Sequence, residues 1–206
     1  MLNALSLQLD QVLVVGLLSA EAMGIYVVAL SLSRMLRVFQ TSMTTVLFPK
    51  VAAQPLDEIV SLTGRVNRIN LVLTTMVGIG LVGLGPVLLQ LLYGDEFVSA
   101  TIVFRLLVIE IILSGAVQIL AQALMAAERP GVVTVVQATG ISLNALLAVI
   151  LIPQYELAGA GFALVSATSV RLLFILISYP LVLRVRVPAL VIGPSDVTYI
   201  RHKLGW

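Results

Sequence analysis

The chain contains 206 residues, of which 60% are apolar and 11% are charged. Soluble globular domains average roughly 45–50% apolar and about 25% charged residues, so this composition is typical of a protein that lies in lipid. A net charge of +2 is too small for a nucleic-acid-binding surface. The absence of cysteine excludes thiolate metal sites, and the single histidine, His202, leaves almost nothing for a histidine-based catalytic site.

Apolar segments long enough to cross a membrane recur along the chain. A transmembrane helix needs about 20 mostly apolar residues to cross ~30 Å of hydrocarbon. The sequence therefore predicts an all-α integral membrane protein with one six-helix bundle over residues 1–184 and a cytoplasmic tail over residues 185–206. The six predicted spans run over residues 2–19, 22–48, 68–92, 98–126, 131–153 and 158–184.

The third span carries two local features. Gly85-Pro86 predicts a kink, with the helix continuing to Tyr93, because proline removes a backbone donor and clashes with the preceding turn. Residues 56–68 mix apolar and charged side chains, which predicts an amphipathic helix on the cytoplasmic face that leads into the span. Gly78 to Gly83 match G-x-G-x-x-G inside an apolar run with no preceding strand, which indicates close helix packing and not dinucleotide binding.

Charge in the predicted loops sets the orientation. Loops on one side contain Lys50, Arg65, Arg68, Arg129, Arg184, Arg186, Arg201 and Lys203. Loops on the other side contain Glu21, Asp95, Glu96 and Glu156, with no Lys or Arg. Because Lys and Arg concentrate on the cytoplasmic side of membrane proteins, we expect both termini to be cytoplasmic in a multi-pass protein of the inner (cytoplasmic) membrane.

Six charged residues lie inside the predicted spans: Asp10, Arg34, Arg37, Arg105, Glu110 and Arg171. A charge at the bilayer centre costs about 2.5–3.5 kcal/mol, so these side chains must pair, extend to the interface or line a wet cavity. Four cations against two anions leave a positive excess, and arginine stays protonated even when it is buried. An anionic ligand or a water-filled cavity would supply the missing counter-charge.

Helical spacing selects candidate residues for that ligand. Arg34 and Arg37 lie one turn apart, where they can hold phosphate or carboxylate oxygens with bidentate hydrogen bonds. With Arg105 and Arg171 they form the predicted substrate-binding set. Asp10 and Glu110 are predicted to couple an ion or to pair with these cations, and structural pairing alone is an alternative for each arginine. The sequence contains no catalytic or metal-binding motif, which predicts that the protein is not an enzyme and needs no cofactor or metal.

Short motifs in a fixed order resemble the C-terminal lobe of oligosaccharide and polysaccharide flippases. This group holds the O-antigen exporters of the MOP superfamily, which also contains multidrug-and-toxin extruders. The matching pieces are Asp10, Gly24-Ile-Tyr26, Leu47-Phe48-Pro49, Leu92-Tyr93-Gly94, Phe97, Ala100, Ala127-Glu128-Arg129, Asn144, Leu151-Ile152-Pro153 and Gly159-Ala160-Gly161. The resemblance covers residues 1 to about 184.

The resemblance implies two six-helix lobes around a central cavity, moving lipid-diphosphate-linked oligosaccharide for surface polysaccharide synthesis. It implies that the cavity arginines hold the anionic substrate. Members of the group have about twice as many spans as are predicted here, so a second six-helix lobe or self-association is the expected partner. Two alternatives stay open: a multidrug or cation antiporter of the same superfamily, and a non-transporting scaffold in a polysaccharide-assembly complex.

Overall fold

The computed structural model describes Val14, Gly16, residues 18–51 and residues 54–190, and every regular element in these residues is helical. The helices are α1 (Ala20–Ser33), α2 (Arg37–Val51), α3 (Leu56–Tyr93), α4 (Thr101–Ala126) and α5 (Pro130–Ser178). A 3₁₀ turn over Arg34–Leu36 joins α1 to α2, a second over Asp95–Ala100 precedes α4, and a π-helical turn over Tyr179–Leu183 ends α5. The side chain of Ser19 caps α1 by accepting a hydrogen bond from the Ala22 amide at 3.1 Å.

Helix α5 is a hairpin of two antiparallel arms. Glu156 has φ 51° and ψ −132°, which breaks the helical backbone near its middle. We call residues 130–155 the first arm and residues 157–178 the second arm. Gly159 lies directly against the carbonyl group of Leu151, so the chain reverses direction at this break.

Four helical stretches of the described chain are long and apolar enough to cross a membrane: Glu21–Val51, Leu56–Tyr93, Phe97–Ala126 and Pro130–Leu183. The predicted count of six spans is therefore not confirmed. The predicted spans 131–153 and 158–184 correspond to the two arms of α5, which form one helical element broken only at Glu156. The predicted span 2–19 lies almost wholly outside the described residues.

Helix α3 unites two elements that the sequence analysis separated. The predicted amphipathic segment 56–68 and the predicted span 68–92 form a single helix from Leu56 to Tyr93, and this helix continues through Pro86. The C-terminal segment 184–190 returns along it: Pro188 lies against Gly64, and the Arg68 guanidinium donates to the Ala189 carbonyl oxygen at 3.0 Å.

Helix α4 is the centre of the bundle and contacts the other four helices. Its antiparallel packing on α3 is set by two glycines. A methyl group at Gly78 would lie 2.8 Å from Ile112, and one at Gly85 would lie 2.6 Å from Phe104. These close contacts fix the relative positions of the two helices. The helices are antiparallel, because the contact nearer the C-terminus of α3 is also the one nearer the N-terminus of α4.

Two apolar clusters fill the bundle, one in each half. The first includes Tyr26, Leu89 and Phe104, and the second includes Leu120 and Tyr179. The Tyr179 hydroxyl donates to the Leu120 carbonyl oxygen at 2.9 Å, which satisfies the polar end of a fully buried ring. The two ends of the bundle differ in charge: the connections around Lys50 and Arg129 lie at one end, and Glu21 and Glu156 line a cleft of about 680 Å³ at the other.

Candidate functional site

Glu110 and Arg171 form a buried ion pair between α4 and the second arm of α5. The Arg171 Nη2 atom lies 3.6 Å from the Glu110 Oε1 atom, and the two side chains are 15% and 7% exposed. Thr168 donates a hydrogen bond to Glu110 Oε1 at 3.1 Å and contacts the Arg171 guanidinium. Gln137 on the first arm accepts a hydrogen bond from Arg171 Nη1 at 3.0 Å. This network of four side chains, Glu110, Gln137, Thr168 and Arg171, is called the hairpin network below.

Gly140 makes the hairpin network possible. The methylene groups of Arg171 lie directly against Gly140, at the place where any larger residue would carry its Cβ. The guanidinium therefore crosses the first arm to reach Gln137. Arg171 was predicted to bind substrate and Glu110 to couple an ion or pair with a cation. The structure brings these two predicted residues together, and it directs the Arg171 charge toward a carboxylate of the protein.

Arg34 and Arg37 mark the junction of α1 and α2. Arg34 begins the 3₁₀ turn, and Arg37 is the first residue of α2. Because side chains three residues apart in a 3₁₀ turn nearly eclipse each other, the two arginines lie one above the other, and both are half-buried. The Arg37 Nε atom is buried without a hydrogen-bond partner, and Arg37 forms no ion pair with the described residues.

Arg105 lies on the exposed face of α4, between Ile102 and Ile109, which are 58% and 44% exposed. It forms no ion pair with any residue in the described part of the chain. Ile102, one turn earlier on the same face, lines the cleft of about 680 Å³ beside α1 and the tip of α5. Arg105 therefore lies one helical turn further along α4 than the cleft, and it does not belong to the hairpin network. Asp10, the remaining predicted site residue, lies outside the described residues.

A row of neutral polar residues on α3 was not among the predicted site residues. Thr63, Asn67, Asn70 and Thr74 are fully buried. Their spacing of four, three and four residues places them on the face of α3 that packs against α4. That spacing was visible in the sequence, but the predicted boundary at residue 68 divided the row between an interfacial helix and a span.

Comparisons with known proteins identify the fold. A family model described as "Polysaccharide biosynthesis protein" matches residues 1–102. A solved structure described as the outward-facing conformation of a multidrug resistance MATE family transporter of the MOP superfamily is similar to the chain, with 17% identity and a TM-score of 0.68. The match covers 97% of this chain and 47% of that chain, so this chain spans about half the length of the transporter. No curated protein matches the sequence.

The chain thus has the fold of about half of that transporter, and it is a multi-pass membrane protein. Residues 1–102 resemble a family of polysaccharide biosynthesis proteins. Together the two matches confirm the predicted resemblance to the flippases of this superfamily.

Proposed function

We propose that the chain is one lobe of a flippase that moves lipid-diphosphate-linked oligosaccharide across the cytoplasmic membrane for surface polysaccharide synthesis. The observation that carries this proposal is the position of Arg37 and Arg105. Both lie in helices of membrane-spanning length, and neither forms an ion pair with the described residues. An anionic diphosphate is the ligand that two such guanidinium groups favour, because charge-assisted bidentate hydrogen bonds to phosphate are strong and directional.

The four arginines have two different roles in this proposal. Arg34, Arg37 and Arg105 face the substrate pathway, whereas Arg171 holds the α5 hairpin against α4 through Glu110. Asp10 supplies either a counter-charge or an ion-coupling carboxylate.

The lobe needs a partner to enclose a pathway. The 47% coverage of the similar transporter supports a second six-helix lobe or self-association as the partner. We propose six spans over residues 1–184, a cytoplasmic tail over residues 185–206, and both termini on the cytoplasmic side of the inner membrane. The function is transport, without a chemical step.

An antiporter for drugs or other cations is the second candidate, and the similarity to a multidrug resistance transporter favours it. Such a protein binds cationic substrates, for which an excess of arginine is unfavourable. A scaffold that transports nothing is the third candidate. Because the three candidates differ in what crosses the membrane, transport assays separate them.

The test uses the full chain reconstituted into proteoliposomes at a density that lets copies associate. We expect a fluorescent polyprenyl-diphosphate oligosaccharide to exchange between leaflets, and a lipophilic cation to stay where it was loaded. Transport of the cation alone would replace the proposal by the antiporter. Movement of neither probe would contradict transport by a self-associated pair of these lobes.

Matched variants tie transport to the proposed residues. Arg105→Ala removes a cation from a spanning helix, and Arg129→Ala removes an exposed cation from the α4–α5 connection. We expect the first to reduce lipid transport at least tenfold and the second to leave it unchanged, at equal protein content in the vesicles. Equal transport by both variants would contradict the assignment.

A further inference from the structure

Several amide and hydroxyl atoms buried between α2, α3 and α4 have no hydrogen-bond partner among the described residues. Both polar atoms of the Asn67 amide and both of the Asn70 amide are buried and unpartnered, as are the Thr63 hydroxyl and the Gln40 Oε1 atom. All four residues are at most 1% exposed. We call Gln40, Thr63, Asn67 and Asn70 the amide seam.

Contacts with α4 place Gln40 at the end of the seam that lies farther from Thr63. The Gln40 amide donates to the Ile111 carbonyl oxygen and lies against Gly115. Gly78 of α3 contacts Ile112 of the same turns of α4. Gln40 therefore contacts α4 near the level of α3 residues 74–78, which lie one or two helical turns beyond Asn70 in the direction away from Thr63.

Unpartnered amides inside a membrane protein are expensive. A buried donor or acceptor without a partner costs about 1–3 kcal/mol, and the seam contains six such atoms. More than nine-tenths of buried polar groups in native proteins have a partner, which is either protein or ordered water. The seam therefore requires hydrogen-bond partners beyond those that the described residues supply.

The chemistry of the seam selects those partners. The unpartnered atoms include donors, the two Nδ2 groups, as well as acceptors, the oxygen atoms of both asparagines and of Gln40. A metal cation satisfies only the acceptors, and the seam contains no carboxylate. Water both donates and accepts, and buried water typically makes about three hydrogen bonds to such groups.

We propose that the amide seam binds a chain of ordered water molecules inside the lobe, separate from the proposed substrate pathway. Its α3 side runs from Thr63 to Asn70, and seven residues at 1.5 Å per residue give a length of about 10 Å. The chain of water begins near the basic end of the bundle, beside Thr63, and extends into the spanning part of α3.

The seam also explains how Arg37 is tolerated. Arg37 precedes Gln40 by three residues, one turn of α2, and its Nε atom is buried without a partner. Water at Gln40 would continue toward that group and lower the cost of holding a cation in the bilayer. The inference about water does not depend on the proposed function, because it rests only on the unpartnered amides.

Asparagine labelling tests the proposal in the full chain reconstituted in lipid. The sequence contains Asn3, Asn67, Asn70 and Asn144, so side-chain amide signals from ¹⁵N-asparagine are few. Water-edited solid-state NMR measures how fast magnetisation passes from water to each amide. In a sample that also carries ¹⁵N-glycine, we expect the Asn67 and Asn70 side chains to polarise several-fold faster than the backbone amide of Gly85, which packs against Phe104 on the same face of α3.

Variants assign the signals and keep the test open to failure. Asn67→Leu and Asn70→Leu each remove one signal, and Asn67→Ser and Asn70→Ser serve the same purpose if a leucine variant does not fold. Fast transfer to both amides supports the water chain. Transfer to both amides as slow as to Gly85 would overturn it, since the amides would then pair directly with other side chains.

Discussion

Helix α4 buries polar groups on two sides, and the two sides satisfy them differently. On the α5 side, the hairpin network pairs the only carboxylate in the spanning part of α4 with Arg171, Thr168 and Gln137. On the α2–α3 side, the amide seam contains neutral groups that no described residue partners. In the first arrangement the charges are held by other protein side chains, whereas the second requires further hydrogen-bond partners.

We expect substitutions in the hairpin network to lower the free energy of unfolding more than substitutions beside the amide seam. Glu110→Ala leaves the Arg171 guanidinium buried without its carboxylate. Removing one partner of a buried ion pair typically costs about 3–5 kcal/mol of unfolding free energy. Unfolding of the detergent-solubilised protein, followed by circular dichroism, measures this loss.

The double variant Glu110→Leu with Arg171→Met removes the pair together. Because two apolar side chains can replace a buried ion pair at little cost, we expect stability close to that of the unmodified chain. If Glu110→Ala alone were neutral, the pair would not hold the hairpin, and the contrast between the two sides of α4 would disappear.

Gly140→Ala gives the next largest effect. The new methyl group occupies the space through which the Arg171 side chain crosses to Gln137. Overpacking of this kind costs about 1–3 kcal/mol, and it displaces Arg171 from the network. Gly80→Ala is the matched control, because nothing lies within 4 Å of its added Cβ. Equal melting temperatures for the two variants would contradict the path of the Arg171 side chain across Gly140.

Gly64→Ala, beside the amide seam, gives the smallest effect. Its added Cβ lies 2.8 Å from Pro188 of the returning segment 184–190. Because that segment is not helical, it can shift by a few tenths of an ångström, and we expect a loss below about 1 kcal/mol. Gly83→Ala, with open space around it, is the control. A loss as large as that for Gly140→Ala would show that this side is as rigid as the other.

The residues on the two sides of α4 also differ in how readily they could be predicted from the sequence. Glu110 and Arg171 were selected because a charge in an apolar run is costly, and that cost is readable without coordinates. Asn67 and Asn70 carry no charge, and their common face becomes apparent only when α3 is known to begin at Leu56. Hydropathy finds the apolar run, but it does not show where a helix extends beyond the membrane.

The helical class and most helix positions followed from composition and length. Sequence did not predict that the second predicted span divides at Arg34–Leu36, because no glycine or proline marks that turn. The predicted spans did leave a connection at residues 154–157, where Glu156 separates the two arms of α5. Sequence also did not separate Arg171, which has a carboxylate partner, from Arg37 and Arg105.

The central claim is that Arg37 and Arg105 hold an anionic substrate, and affinity for a lipid diphosphate tests it most directly. A charge-assisted hydrogen bond is worth about 1.5–3 kcal/mol. The double variant Arg37→Ala with Arg105→Ala should therefore bind a labelled polyprenyl diphosphate at least tenfold more weakly than the unmodified chain. The control Arg129→Ala with Arg186→Ala, which removes two exposed cations at the basic end, should bind it normally. Unchanged affinity in the first variant would contradict the account.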